Sequence, residues 1–380
     1  MKICAIICEY NPFHNGHLYQ LQEAKRLSGA DALLCIMSGN FVQRGEAAIM
    51  DKHIRAKHAI LAGADAVIEL PTAYATSNAE LFAKGAIHIL SAIPSVTALC
   101  FGAENADKLA FISAARYLND EPKEVSENIK KFIRTGVSYA KARAQAWAGF
   151  IPMDMLSSSN NILGLEYTKA ILAFNANMDI LPIQRIGGDY KDSTLHESYS
   201  SATALRAAIQ NGERVASNIP SYVQKDLPKE LESKLDALEK YALLNKNAEE
   251  IAKVCDCTEG LENAFKKAAE NSATLVETLT NVRYTSSRIR RIALQNLLNI
   301  EESLIQESLQ SPLYFRVLAA KKENAEILSE LSKGDFPIIA RAHDEDSLIG
   351  VAKDCYFVDV FAEKLYSLLY KIPENKNIFI

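Results

Sequence analysis

No stretch of this chain approaches the ~20 consecutive apolar residues a membrane-spanning helix requires, so a membrane partner is not expected. The N-terminus, MKICAIICEYNPFHNG, has a single lysine and a short apolar run. Glu-Tyr-Asn-Pro then stands where a secretory leader would carry a small-residue cleavage site. Seven cysteines (Cys4, Cys8, Cys35, Cys100, Cys255, Cys257 and Cys355) make an odd set without framework spacing, which argues for a reduced, cytoplasmic protein. Cys255-Asp-Cys257 is too closely spaced for a usual zinc pair and has no second pair, so no structural metal is expected. Repeats, low-complexity tracts and flexible linkers are missing, and no Ser-His-Asp or Cys-His nucleophile stands out. A formal charge of -5 excludes a chain that is basic overall, so any nucleic-acid surface must be a local patch.

What is present is 380 residues, 48% hydrophobic and 23% charged, which suits a globular enzyme of two domains. Short apolar runs alternate with helical patterns through about residue 210. KICAIIC, DALLCIMSG, DAVIELP, VTALCFG and DILPIQRIGG read as strands, with LYQLQEAKRLSG, KHIRAKHAILAGA and NAELFAKGAIHILSAI as helices between the first four. Fully apolar strands separated by helices predict a parallel sheet covered on both faces, an α/β doubly wound fold. Ligands of such sheets bind at the carboxyl ends of the strands. His14–His17, Gly39–Gly45 and Gly102–Asn105 all follow predicted strands and should therefore share one crevice. Beyond Ile219-Pro220 the alternation fades. Residues 1–215 read as a catalytic domain and 216–380 as a mostly helical one, where only PIIARA and DCYFVDVFA hint at strands.

Two constellations carry chemistry. His14-Asn15-Gly16-His17 sits at a strand-to-helix corner, where imidazole N–H groups and the helix's free amides favour phosphate, and Gly16 permits close approach of the backbone. A metal-binding histidine pair or simple packing are the rival readings. Ser200-Ser201-Ala-Thr203-Ala-Leu-Arg206 offers a hydroxyl-rich helix start with an arginine one turn in, a second anion cradle. Among loop residues, Asn40, Gln43 and Arg44 are the best substrate candidates; Lys52 and Arg55 could also contact substrate or tRNA, and Arg55 could equally lie with Lys57 on a solvated helix face. NVRYTSSRIRRIALQ concentrates Arg283, Tyr284, Arg288, Arg290 and Arg291, a combination suited to phosphate contacts and base stacking, with Arg316, Lys321 and Lys322 extending the stripe.

EYNPFHNGH, MSGNFVQRGEAAIMDK, DAVIELP, FGAEN, NNILGLEY, RIGGDY and SSATALR occur in that order over the first 210 residues or so. Together they resemble the bacterial tRNA(Met) cytidine acetate ligases, a branch of the HIGH superfamily of nucleotidylyl transferases and class I tRNA synthetases. The second motif lacks the lysine of the synthetase form. The resemblance implies a Rossmann-like HIGH-superfamily sheet with a helical, tRNA-binding C-terminal domain. It implies an enzyme that spends ATP to make acetyl-adenylate, AMP and pyrophosphate and acetylates N4 of the wobble cytidine of elongator tRNA(Met). The implied partners are acetate and that tRNA, with no DNA. ATP is the co-substrate, and Mg2+ rides on its oxygens rather than in a protein cage. Carried over by motif, the ATP site comprises Ile7, Cys8, Glu9, Tyr10, Asn11, Pro12, Phe13, His14, Asn15, Gly16, His17, Leu18, Tyr19, Gln20, Gly102, Asn160 or Asn161, and Arg185. His14, His17, Ser201, Thr203 and Arg206 would act on the phosphates. The alternatives are a small-molecule adenylyltransferase of the pantetheine-phosphate or nicotinamide-mononucleotide type, and a non-catalytic RNA-binding protein on the same fold.

Overall fold

The computed structural model describes residues 1–137, 139–186, 195–196, 198–228, 235–372 and 378–379. Gly187 to Tyr190 of RIGGDY lie outside them. Five runs predicted as strands are strands: β1 (Ile3–Cys8), β2 (Ala32–Ser38), β5 (Ala66–Leu70), β6 (Val96–Ala103) and β7 (Asp179–Gln184). Between β2 and β5 lies a small antiparallel pair, β3 (Phe41–Val42) with β4 (Glu46–Ala47). The strands β5-β2-β1-β6-β7 run parallel, so the order reverses direction at β1. That reversal opens a crevice between the ends of β1 and β6.

Alternation along β1 sends Ile3, Ala5 and Ile7 into one core and Cys4, Ile6 and Cys8 into the other, so helices cover both faces. All seven cysteines are buried and free. Those on β1, β2 and β6 fill small-residue positions in the sheet, as free cysteine does.

The C-terminal region departs from the expected pattern. FRVLAA forms β8 (Phe315–Ala320), antiparallel to β5, and carries β9 (Ile338–Ile339) and β10 (Ile378–Phe379) as parallel neighbours. The sheet therefore crosses residue 215. DCYFVDVFA, read as a strand hint, lies inside the helix Gly350–Tyr370. Its Cys355, Tyr356, Asp359 and Ala362 are buried at helical spacing, and packing overrides its β-branched and aromatic composition.

A buried charge cluster fastens that helix to the sheet. Lys52 Nζ lies 2.9 Å from both Glu69 and Glu363, and Arg316 lies 3.1 Å from Glu69 and 2.7 Å from Glu363. Asp359 accepts the Thr72 N–H at 2.7 Å and the Tyr314 hydroxyl at 2.6 Å, while burial pushes its carboxyl up to about 6. Lys52 and Arg316 are thus structural, and neither is placed to contact substrate or RNA as the sequence suggested. Among the described residues no helix is long and apolar enough to cross a membrane.

Candidate active site

The corner after β1 is built by its own residues. The chain turns through Tyr10 (φ 49°) and a cis Asn11–Pro12 bond into the helix Asn15–Ser28. His14 caps that helix: its Nδ1 accepts the Gly16 N–H at 3.1 Å, and His17 Nδ1 accepts the His14 N–H at 3.3 Å. The two rings stack at 3.6 Å between centroids. A Cβ on residue 16 would stand 2.9 Å from His14 Cε1, so glycine is what allows the ring to fold back over the helix start. With both Nδ1 atoms accepting, each neutral ring carries its proton on Nε2. Burial, reinforced by Arg185 and Arg206, lowers His14 to about 3; burial and His14 itself lower His17 well below the usual range. The pair presents neutral N–H donors, and its hydrogen bonds to backbone amides fit capping rather than metal ligation.

Two adjoining cavities open at this corner. The smaller, of about 480 Å³, lies between the histidines and the end of β7, with Gly102, Arg185, Tyr199 and Ser200 on its walls. The larger, of about 1000 Å³, extends past Glu9 and Asn11 to Gln43 and Arg44 on one side and Asn160 on the other. His17, Gln20, Gly102 and Arg185 border both. The loops after β1, β2 and β6 thus meet in one crevice, as their positions predicted. Arg206 reaches back from the helix Ala202–Gln210 to donate to the Asn11 carbonyl at 2.8 Å, with Thr203 Oγ1 at 3.5 Å. Ser201 caps that helix by accepting the Ala204 N–H.

The asparagine ambiguity resolves geometrically. Asn160 lines the larger cavity and donates to Glu104 at 2.6 Å. Asn161 is fully buried; its Oδ1 accepts the amides of Glu104 and Asn105, so it braces the loop after β6 and does not reach the cavity. Other expected site residues also work behind the surface. Phe13 packs in the core, Leu18 packs against it, and Pro12, Ser201 and Thr203 line neither of these two cavities. Asn15 donates to the carbonyls of Ser198 and Ser217. Asn40, expected to touch substrate, is buried: it donates to Asp51 and accepts the Lys52 N–H at 2.7 Å, tying its loop to the next helix.

The sequence reading misplaced one group and missed another. Arg55 is fully buried and donates to the carbonyls of Met50, Glu9, Ser38 and Gly39, pinning the ends of β1 and β2. The larger cavity also has an apolar wall of Val42, Phe82, Phe101, Leu163 and Tyr167. Helical spacing carried a signal for part of it: Asn160, Leu163 and Tyr167 fall at i, i+3 and i+7, on one face.

The HIGH Nucleotidyl Transferase family model matches residues 1–378. A tRNA(Met) cytidine acetate ligase from Acetivibrio thermocellus is 36% identical, with 98% of this chain and 96% of that protein covered. One from Thermosipho africanus is 35% identical over 97% and 95%. The crystal structure of Thermotoga maritima TmcAL in its apo form superposes with a TM-score of 0.90 at 30% identity, both chains covered in full. The same protein bound with alpha-thio ATP gives 0.86. The chain belongs to the tRNA(Met) cytidine acetate ligase family.

In this member of the tRNA(Met) cytidine acetate ligase family, the arginine-rich helix Ser286–Leu298 is largely engaged with the protein itself. Arg290 pairs with Glu46 at 2.8 Å and Arg291 with Asp256 at 3.4 Å; Arg288 donates to the Asp256 carbonyl at 2.7 Å and to Thr258 at 3.0 Å. Arg283 is exposed and pairs with Glu259 at 2.7 Å, while Arg283 and Arg288 both lie over the Tyr284 ring. Gly45 (φ 73°) lies flat on this helix, where a Cβ would meet Arg291 N at 2.5 Å. The helix thereby supports the loop that bears Gln43 and Arg44.

Proposed function

We propose that the protein is a cytoplasmic ligase that activates acetate with ATP and acetylates N4 of the wobble cytidine of elongator tRNA(Met). The observation that carries this reading is the crevice itself: two neutral imidazole donors and a helix start beside Arg44, Arg185 and Arg206, at the strand ends of the sheet. Adenylyl transfer asks a protein chiefly for positioning and for fixed positive charge around the departing pyrophosphate. Names borne by relatives of near-equal length support acetate and tRNA(Met) as the other substrates, and the alpha-thio ATP complex of the Thermotoga maritima protein supports the nucleotide.

In the first step an acetate oxygen attacks the α-phosphorus and the bond to the β-phosphate oxygen breaks. His14, His17, Arg206 and Thr203 hold the phosphates while charge moves to pyrophosphate. In the second step N4 of cytidine attacks the acetyl carbonyl, AMP departs and N4 loses a proton. Mg2+ would be carried mainly by the triphosphate oxygens, because that ion keeps several waters and seldom takes an all-protein cage. Residues 216–380 serve as the tRNA-binding part, with the exposed Arg283 and the half-buried Tyr284 beside it as contacts.

The test is incubation of the protein with ATP, Mg2+, labelled acetate and an elongator tRNA(Met) transcript, followed by digestion and mass analysis of nucleosides. The expected product is acetylcytidine, dependent on ATP and lost in His14→Ala. ATP cleavage with no label in RNA would instead favour a small-molecule acceptor.

A further inference from the structure

The larger cavity is furnished for anions, yet one carboxylate stands in it. Glu9 is the sole acidic residue among the described residues lining either cavity. It follows β1 directly and is held from both ends. Its Oε1 accepts the Gln43 N–H at 2.8 Å, and its carbonyl accepts Arg55 Nη1 at 2.6 Å. The charged and titratable groups around it are Arg206, Arg55 and Arg44, with Cys8, Tyr10 and His17 on the adjoining wall. Burial outweighs the three arginines and holds the Glu9 carboxyl above its ordinary value. A negative charge here opposes the binding of ATP and acetate alike, so a later step must be where it helps.

Acyl transfer has such a step. The cytosine N4 lone pair is delocalised into the ring, so N4 becomes an effective nucleophile only as its proton is removed. The neighbouring groups cannot accept that proton. Both histidines already carry one on Nε2 and use Nδ1 for backbone amides. Burial raises the Cys8 thiol and the Tyr10 hydroxyl, so both stay protonated, and arginines only donate.

Resting on the function proposed above, we propose that Glu9 is the general base of acetyl transfer. The N4–carbonyl carbon bond forms, the acetyl–phosphate C–O bond breaks, the N4 proton passes to a Glu9 oxygen, and AMP leaves with the bonding pair. Glu9 then returns the proton to solvent.

Glu9→Gln tests this, because the amide keeps an oxygen for the Gln43 N–H and removes the base. Two rates are measured: acetate-dependent exchange of labelled pyrophosphate into ATP, and single-turnover transfer from enzyme loaded with acetyl-adenylate to tRNA. Transfer is expected to fall on the order of 100-fold or more, with exchange down by less than about tenfold. Equal losses in both would overturn the proposal in favour of a binding or bracing role. Unchanged transfer would overturn it in favour of a leaving AMP oxygen as proton acceptor. Should Glu9→Gln fail to fold, the wild-type transfer rate decides. It should fall on acidification with a midpoint above the ordinary glutamate value of about 4.3, and a flat profile through that range would sink the idea. A wild-type enzyme that exchanges pyrophosphate but never yields acetylcytidine would fail at the earlier reading, before any variant is made.

Discussion

The crevice at the head of β1 and the helix Ser286–Leu298 are both rich in cationic and nitrogen-bearing side chains, and they satisfy most of them in opposite ways. In the crevice, Arg206 and Arg55 donate to carbonyl oxygens, Arg185 comes no closer than 4.0 Å to the Glu104 carboxylate, and the histidines accept from backbone amides. On the helix, Arg290 and Arg291 meet carboxylates, as does Arg283 just before it. An arginine on a carbonyl is held in place with its full charge still projecting, whereas one on a carboxylate is held and cancelled. A chain of net charge -5 can therefore keep one electropositive hollow without a basic surface around it. Counting arginines along a sequence cannot distinguish the two arrangements; the partner atoms do.

The contrast can be broken at several points. The largest effect is expected at His14. Removing one preorganised donor typically costs about 10²–10³-fold, so His14→Ala should lower pyrophosphate exchange by that much; a loss under tenfold would leave the histidine pair a mere helix cap. The same ring gives a pH signature. Its folded value is lowered to about 3 from 6.5, so the unfolded chain takes up the proton first. Its contribution is intact above pH 6.5 and declines as pH falls from 6.5 toward 3. Melting temperatures between pH 7 and 4 should fall more steeply for the wild type than for His14→Ala.

Next comes Arg55. Removing it orphans buried carbonyls of Glu9, Ser38, Gly39 and Met50, and leaving buried acceptors unpaired should cost about 3 kcal/mol. Urea unfolding of Arg55→Ala measures this, and a change near zero would mean that water replaces the guanidinium. A smaller effect is expected at Arg283. Filter binding of tRNA across a salt series should show Arg283→Ala weakening affinity and reducing the salt slope by about one. Smallest is the half-exposed Arg290–Glu46 pair. A double-mutant cycle should return no more than about 1 kcal/mol, and a larger coupling would make that contact a stronger brace for the loop than its geometry suggests.

Much of this was legible from the chain alone. Four buried parallel strands announce themselves as largely apolar runs, the half-buried edge strand β7 less plainly, and the corner sequence His-Asn-Gly-His states its own geometry, since only glycine leaves space for the returning ring. What stayed hidden depended on rotation or on distant partners. Asn160 and Asn161 differ by one helical step of phase, and Glu104 holds both, one on the cavity side and one behind it. Arg55 looked like part of a solvated face because amphipathic patterning assumes that charge points to water; here the facing surface is a row of carbonyls. β8 lies amid helical patterns and becomes a strand only because β5 offers it an edge.

That last pairing has a consequence for how the molecule can be made. The apolar edge of β5 waits for residues 315–320, so a chain emerging from the ribosome carries an unfinished sheet until most of it has been synthesised. A nonsense mutation or proteolytic cut anywhere between the Ala202–Gln210 helix and Phe315 should not release a working nucleotide-binding half. It should release a fragment with a bare strand ready to stick to its neighbours, and quality control would meet it as an aggregate.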